Sequence, residues 1–216
     1  MPEALREPTR GRGETRQRLL LTALHLYAEE GLDAVSLRRI SAAAGSRNSA
    51  AMHYHFSNKP GVIQALVELI ADELASHANQ IRELEGEASD LRSAFRNTLR
   101  PLAELPQRQL WGSDAIRFLS RVLSENNADI AAVVNPVYEP FWRRVDDQLA
   151  LLLPDIPDEV RHLRLMFMSV NVFHGIAEVA SLSHTPLGDL SHIDNNTLLD
   201  HLVDFLIGGL KANTEN

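Results

Sequence analysis

The sequence contains no cysteine, which removes disulfides, thiolate metal sites and thiol nucleophiles and fits a reducing compartment. No apolar run approaches the length needed to cross a bilayer, so no membrane partner is expected. The first residues, MPEALREPTRGRGETR, lack the apolar segment of a secretory signal. Alternation with a period of two is never sustained, which argues against a sheet. Catalytic signatures are missing as well: there is no phosphate-cradling glycine loop, no HExxH and no GxSxG, so no enzyme, cofactor or metal is expected. His53 and His55 lie two residues apart, about 200° around a helix, where one metal ion cannot take both.

What the sequence does contain is apolar periodicity. Its 216 residues, 44% hydrophobic and 23% charged, suffice for a small domain plus a larger one or for a single mid-sized domain. The net charge of −8 argues at first against a polyanionic partner. Its distribution reverses that reading. Residues 1–60 hold nine Lys and Arg against six Asp and Glu, net +3, and residues 61–216 hold twelve against twenty-three, net −11. Such asymmetry points to one end that faces a polyanion.

Residues 1–13, with Arg6, Arg10, Arg12 and interspersed Pro and Gly, are expected to form a mobile arm, either solvated or following a DNA groove. A helix is expected over 15–30, with Leu20, Ala23, Leu24 and Tyr27 on one face and Gly31 as its stop. Ser36 should cap a short helix reaching Ala44, whose inner face is Leu37, Ile40 and Ala44. Gly45 permits a sharp turn, and a second short helix follows over about 47–55. Its inward residues are Ala51, Met52 and Phe56, and Arg47, Asn48, Ser49, His53 and Tyr54 range outward.

Ser57 or Asn58 should cap a fourth helix of about twenty-five residues, with Pro60 in its first turn and Gly86 at its end. The remainder reads as further helices over 90–105, 109–125, 128–153, 157–183 and 195–211. Pro101, Pro136 and Pro140 are expected to kink or split the helices that contain them. The last two helices are apolar over more of their circumference than one core contact needs. The fold class expected is therefore all-α, with about nine helices.

The run RLLLTALHLYAEEGLDAVSLRRISAAAG, followed by HYHF and Asn58-Lys59, resembles the N-terminal signature of the tetracycline-repressor (TetR) family of bacterial ligand-responsive transcription regulators. The resemblance spans about residues 16–70. It implies a helix-turn-helix DNA-binding domain over 1–60 and a helical effector-binding and dimerisation domain over 61–216, with the fourth helix as connector. By the same resemblance, Ser36, Arg38, His53, Tyr54 and Lys59 would meet phosphates, while Arg47, Asn48 and Ser49 would read bases. The stretch AGSRNSAAMHYHF is one residue longer than the family's commonest spacing, which leaves the base-reading register open by one position.

The implied function is a cytoplasmic, nucleoid-associated regulator, most simply a repressor. It would bind a palindromic double-stranded operator as a homodimer through its last two long helices and be released by a small hydrophobic effector. Trp111, Phe118, Tyr138, Phe141, Trp142, Met166, Phe173 and His174 are the candidate lining of the effector pocket. His174 and Glu178, spaced i, i+4, can face one another as a polar anchor or make an ordinary interhelical hydrogen bond. Two rival readings remain: an all-helical oligomerisation module that binds only protein, and an enzyme using His174 and Glu178 as acid and base.

Overall fold

The computed structural model describes residues 9–46, 50–186 and 188–212, and among these it is helical with no strand. An isolated bridge between Thr185 and Gly188 is the sole strand-like pairing there.

Helix α1 (Thr9–Glu30) starts earlier than its apolar face indicates. The segment 9–13, expected to belong to a mobile arm, is its first turn and more. Gly11 and Gly13 each cost a helix about 1 kcal/mol, but extending an existing helix adds a hydrogen bond per residue. Leu20, Ala23, Leu24 and Tyr27 are buried as their spacing requires. Gly31, at φ +88°, ends the helix with its N–H on the Tyr27 carbonyl at 3.1 Å.

Ser36 caps α2 (Leu37–Ala43), its hydroxyl oxygen accepting from the Arg39 N–H at 3.2 Å. Gly45, at φ +67°, makes the turn that leads on to α3 (Ala50–Phe56), where Met52 and Phe56 face inward. Ser57 adopts φ +63°, and its N–H returns to the His53 carbonyl at 3.1 Å, closing α3. Asn58 then caps α4 (Lys59–Glu85) by accepting from the Gly61 N–H at 2.8 Å. At 27 residues, α4 is roughly 40 Å long, and Val62, Ile63, Leu66, Val67 and Ile70 are buried along it.

Four prolines do not break the helices that contain them. Helix α5 (Leu91–Arg108) runs through Pro101 and Pro106, and α7 (Ala128–Leu152) runs through Pro136 and Pro140. A proline removes one backbone bond. In α5 the loss is offset by burial, since Pro101 packs inward together with Leu99, Leu102 and Leu105. Helix α6 (Gly112–Leu123) is shorter at both ends than expected. In α7 the buried residues are Ile130, Val134 and Leu149, whereas Phe141 and Leu152 are exposed.

Helix α8 (Asp158–Ala177) stops before the expected residue 183, and the chain tightens into a 3-10 helix (Val179–His184). Asp194 caps α9 (Asn195–Leu210) by accepting from the N–H groups of Asn196 and Thr197. Helix α4 is the spine: α1 and α3 pack on it at one end, and α5 and α7 pack on it in the body. Helix α6 lies between α1 and α8, and α5 packs on α9. One continuous apolar core joins all of these.

Candidate nucleic-acid interface and ligand cavity

The α2–α3 pair is a short helix, a glycine turn and a second short helix, with its apolar residues turned onto α1 and α4. Its polar residues therefore point away from the body. Arg38 is exposed and has no carboxylate partner among the described residues. Its neighbour Arg39 is different, being tied back to Glu30 of α1. Ser36 spends one lone pair on the helix cap, and its O–H finds no acceptor among the described residues.

Tyr54 is 65% exposed and sets its ring against His55, with ring centroids 5.1 Å apart. His53 is exposed with Nδ1 2.9 Å from the Ser57 carbonyl oxygen. With Nδ1 donating, Nε2 is left facing outward. Lys59 opens α4 with its ammonium 3.9 Å from Asp33, a contact that leaves its donors available. Arg16 of α1 adds charge nearby, its guanidinium 5.1 Å from the Phe56 ring centre. Arg47, Asn48 and Ser49 lie outside the described residues.

A cavity of about 300 Å³ lies between the end of α6 and the first half of α7. Val122, Leu123, Ile130, Ala131 and Val134 supply apolar walls; Glu125, Asn135, Tyr138, Glu139 and Trp142 complete the lining. The Tyr138 hydroxyl is buried without a hydrogen-bond partner, and burial pushes its pKa well above the usual phenol value.

Of the eight residues expected to line a pocket, Tyr138 and Trp142 do so. Phe118 does not: it is fully buried and stacks on Tyr27 of α1 at 6.1 Å, because its helix face meets α1. Phe141 and Met166 are exposed, Trp111 stands at the opposite end of α6, and Phe173 is half-buried against the core. His174 reaches across to α6, its Nδ1 2.8 Å from Ser120 Oγ and its Nε2 3.1 Å from Ser124 Oγ. Both ring nitrogens thus face serines, one in the last turn of α6 and one at its C-cap. The i, i+4 spacing to Glu178 does not determine where the ring points.

Two groups were invisible to sequence reasoning because they join distant segments. His25 and Glu29 of α1 meet Asp114 of α6, each offering a ligand atom within 4.8 Å of the others. These groups already have ionic partners: His25 Nδ1 is 2.9 Å from Asp114, and Arg117 Nη2 donates to Glu29 at 2.8 Å and to Asp114 at 2.7 Å. The second is Arg121 of α6, which donates to the carbonyls of Ala28 and Glu29 at the end of α1.

A helix-turn-helix end carried by a long helix into an all-helical body defines a DNA-binding protein of the bacterial regulator class. The family model described as "Bacterial regulatory proteins, tetR family" matches residues 19–66, and "Tetracyclin repressor-like, C-terminal domain" matches residues 96–209. The chain belongs to the TetR family of transcriptional regulators.

Solved structures share the fold. The fatty acid degradation regulator FadR from Bacillus halodurans superposes with a TM-score of 0.65 at 15% identity, covering 97% of this chain and 100% of that one. NalD of Pseudomonas aeruginosa, secondary repressor of the MexAB-OprM multidrug efflux pump, gives 0.62 at 18% identity, covering 93% and 98%. A TetR-family regulator from Marinobacter aquaeolei gives 0.61 at 18% identity, covering 92% and 98%. Family membership makes the protein a DNA-binding transcription regulator, a class distinct from enzymes. No described helix is long and apolar enough to cross a membrane.

Proposed function

We propose that the chain is a homodimeric repressor that grips a palindromic operator and lets go when a small, largely apolar effector enters its body. In this reading residues 1–60 are the DNA-binding head, residues 61–216 are the sensing and dimerising body, and the protein works in the cytoplasm on the nucleoid. The observation that carries it is the outward presentation of Arg38, His53, Tyr54 and Lys59 at one end of α4, while α7, packed on the same helix, walls a cavity. Phosphates would be met by Ser36, Arg38, His53, Tyr54 and Lys59, and bases by Arg47, Asn48 and Ser49.

The mate is expected on the outer faces of α8 and α9. Leu163, Met166, Phe167 and Val170 of α8 and Phe205 of α9 are exposed, although each helix has a separate buried face: Leu165, Met168, Val172 and Ile176 in α8, and Leu199, Val203, Leu206 and Leu210 in α9. Pairing there would hold two heads about 34 to 36 Å apart, one turn of duplex, and so favour a two-fold site. A ligand that binds best to a state with a different α4 tilt would change that spacing, and DNA would weaken the ligand by the same factor.

The test is fluorescence anisotropy on palindromic duplexes across a salt series. Affinity should fall as salt rises, because bound phosphates release counterions. Arg38→Ala and Lys59→Ala should each reduce the log–log slope by about one. Affinity independent of salt would defeat the reading.

A further inference from the structure

We propose that the α6–α7 cavity takes an apolar molecule bearing a protonated amine. The inference rests on the ligand-responsive reading above and names the chemical class of the effector. Its first support is Glu125, which borders the cavity and has no ion-pair partner among the described residues. The other carboxylate of the lining, Glu139, is already engaged by Arg143, whose Nε donates to it at 2.9 Å. No Lys or Arg lines the cavity.

A neutral apolar ligand closing over Glu125 strips water from a carboxylate and returns nothing. An anionic ligand adds repulsion. A cation alone restores what desolvation removes. The second support is the aromatic surface that Tyr138 and Trp142 give the lining, since ring faces attract a cation.

An ammonium group paired with Glu125 lies against that aromatic surface. The apolar tail lies against Val122, Ile130 and Val134. A volume of about 300 Å³ suits a small ligand of this kind. The net charge of −11 over residues 61–216 enriches cations around the same body.

The experiment compares three eight-carbon probes at neutral pH by calorimetry on the full-length protein: n-octylamine, 1-octanol and octanoate. DNA affinity of each sample is measured in parallel by anisotropy. Octylamine should bind at least about tenfold tighter than octanol, and octanoate weakest. Glu125→Gln should abolish the preference for octylamine over octanol.

The proposal is overturned if octanol matches octylamine, if octanoate binds tightest, if Glu125→Gln keeps the amine preference, or if no probe binds. Any of these with normal DNA binding removes the amine class and leaves the regulator reading in place. Amine preference in a protein that ignores DNA does the reverse.

Discussion

The Arg121 side chain of α6 donates from Nε to the Ala28 carbonyl oxygen at 3.0 Å, placing a fixed positive charge against the C-terminal end of α1. Its Nη2 reaches the Glu29 carbonyl at 3.4 Å. The end of a helix carries orphan carbonyls and partial negative charge, so a guanidinium satisfies both needs. The consequence is positional: the helix that borders the cavity is hydrogen-bonded to the helix that supports the DNA-reading pair.

Arg121→Ala should therefore cost about 1–2 kcal/mol of stability, the usual worth of hydrogen bonds to a charged group in a partly exposed setting. Urea denaturation is the check. It should also shrink the change in DNA affinity that a ligand produces, measured as the ratio of anisotropy affinities with and without ligand. An unchanged ratio would show that the contact holds α1 in place without transmitting anything.

The buried His77 of α4 makes stability pH-dependent. Burial lowers its pKa first, and Arg108 and Arg100 of α5 add to the lowering; Glu104 at 3.2 Å and Glu73 oppose it without prevailing. The folded value thus lies below the unfolded value of about 6.5. In that interval the unfolded chain binds the proton more readily. The contribution is complete above pH of about 6.5 and is lost as pH falls through the folded value. The urea midpoint should drop between pH of about 7.5 and 5.5. Substituting His77→Gln, which keeps a donor for Glu104, should flatten that change; equal slopes in both proteins would refute the assignment.

Gly61 allows α4 to start close beneath the end of α3. A Cβ there would lie 2.2 Å from the Phe56 carbonyl oxygen, a backbone atom that cannot move aside without shifting α3. Gly61→Ala should destabilise the fold by about 1–3 kcal/mol, the range for overpacking, and reduce DNA affinity more than Gly175→Ala, whose Cβ meets nothing within 4 Å. Thermal unfolding and anisotropy on the two variants decide the point.

The outer faces of α8 and α9 expose Phe167 (54%) and Phe205 (64%), a large apolar area for a protein surface. Phe167→Asp with Phe205→Asp should convert a dimer into a monomer in light scattering while helicity by circular dichroism stays the same. A protein that remains dimeric after both changes pairs elsewhere.

Local features were legible from residue order because they are closed by neighbours in sequence. The Ser36 and Asn58 caps, the stops at Gly31 and Gly86 and the inward Met52 and Phe56 all depend on contacts within a few residues. Periodicity also placed a helix over 90–105, whose buried face is Leu91, Ala94, Phe95, Leu99 and Leu102. It failed where a face had to be matched to a particular partner. Phe118 looked like pocket lining but meets Tyr27 of α1, and spacing left His174 open between Glu178 and an interhelical hydrogen bond, the second of which forms, to Ser120 and Ser124. Pro101 and Pro136 read as breaks, yet both sit within unbroken helices.

Residue order by itself determined the all-helical class, the helix-turn-helix and the charge division between its two ends, since propensity, capping and apolar spacing act over a turn or two of chain. Only the tertiary structure decided which helix meets which. It set Arg121 on α1 and Asp114 beside His25, 89 residues away, and it left Glu125 at a cavity with no ion-pair partner among the described residues. The reason is physical: an amphipathic face specifies that it must be buried, and only the joint packing of all the faces specifies against what.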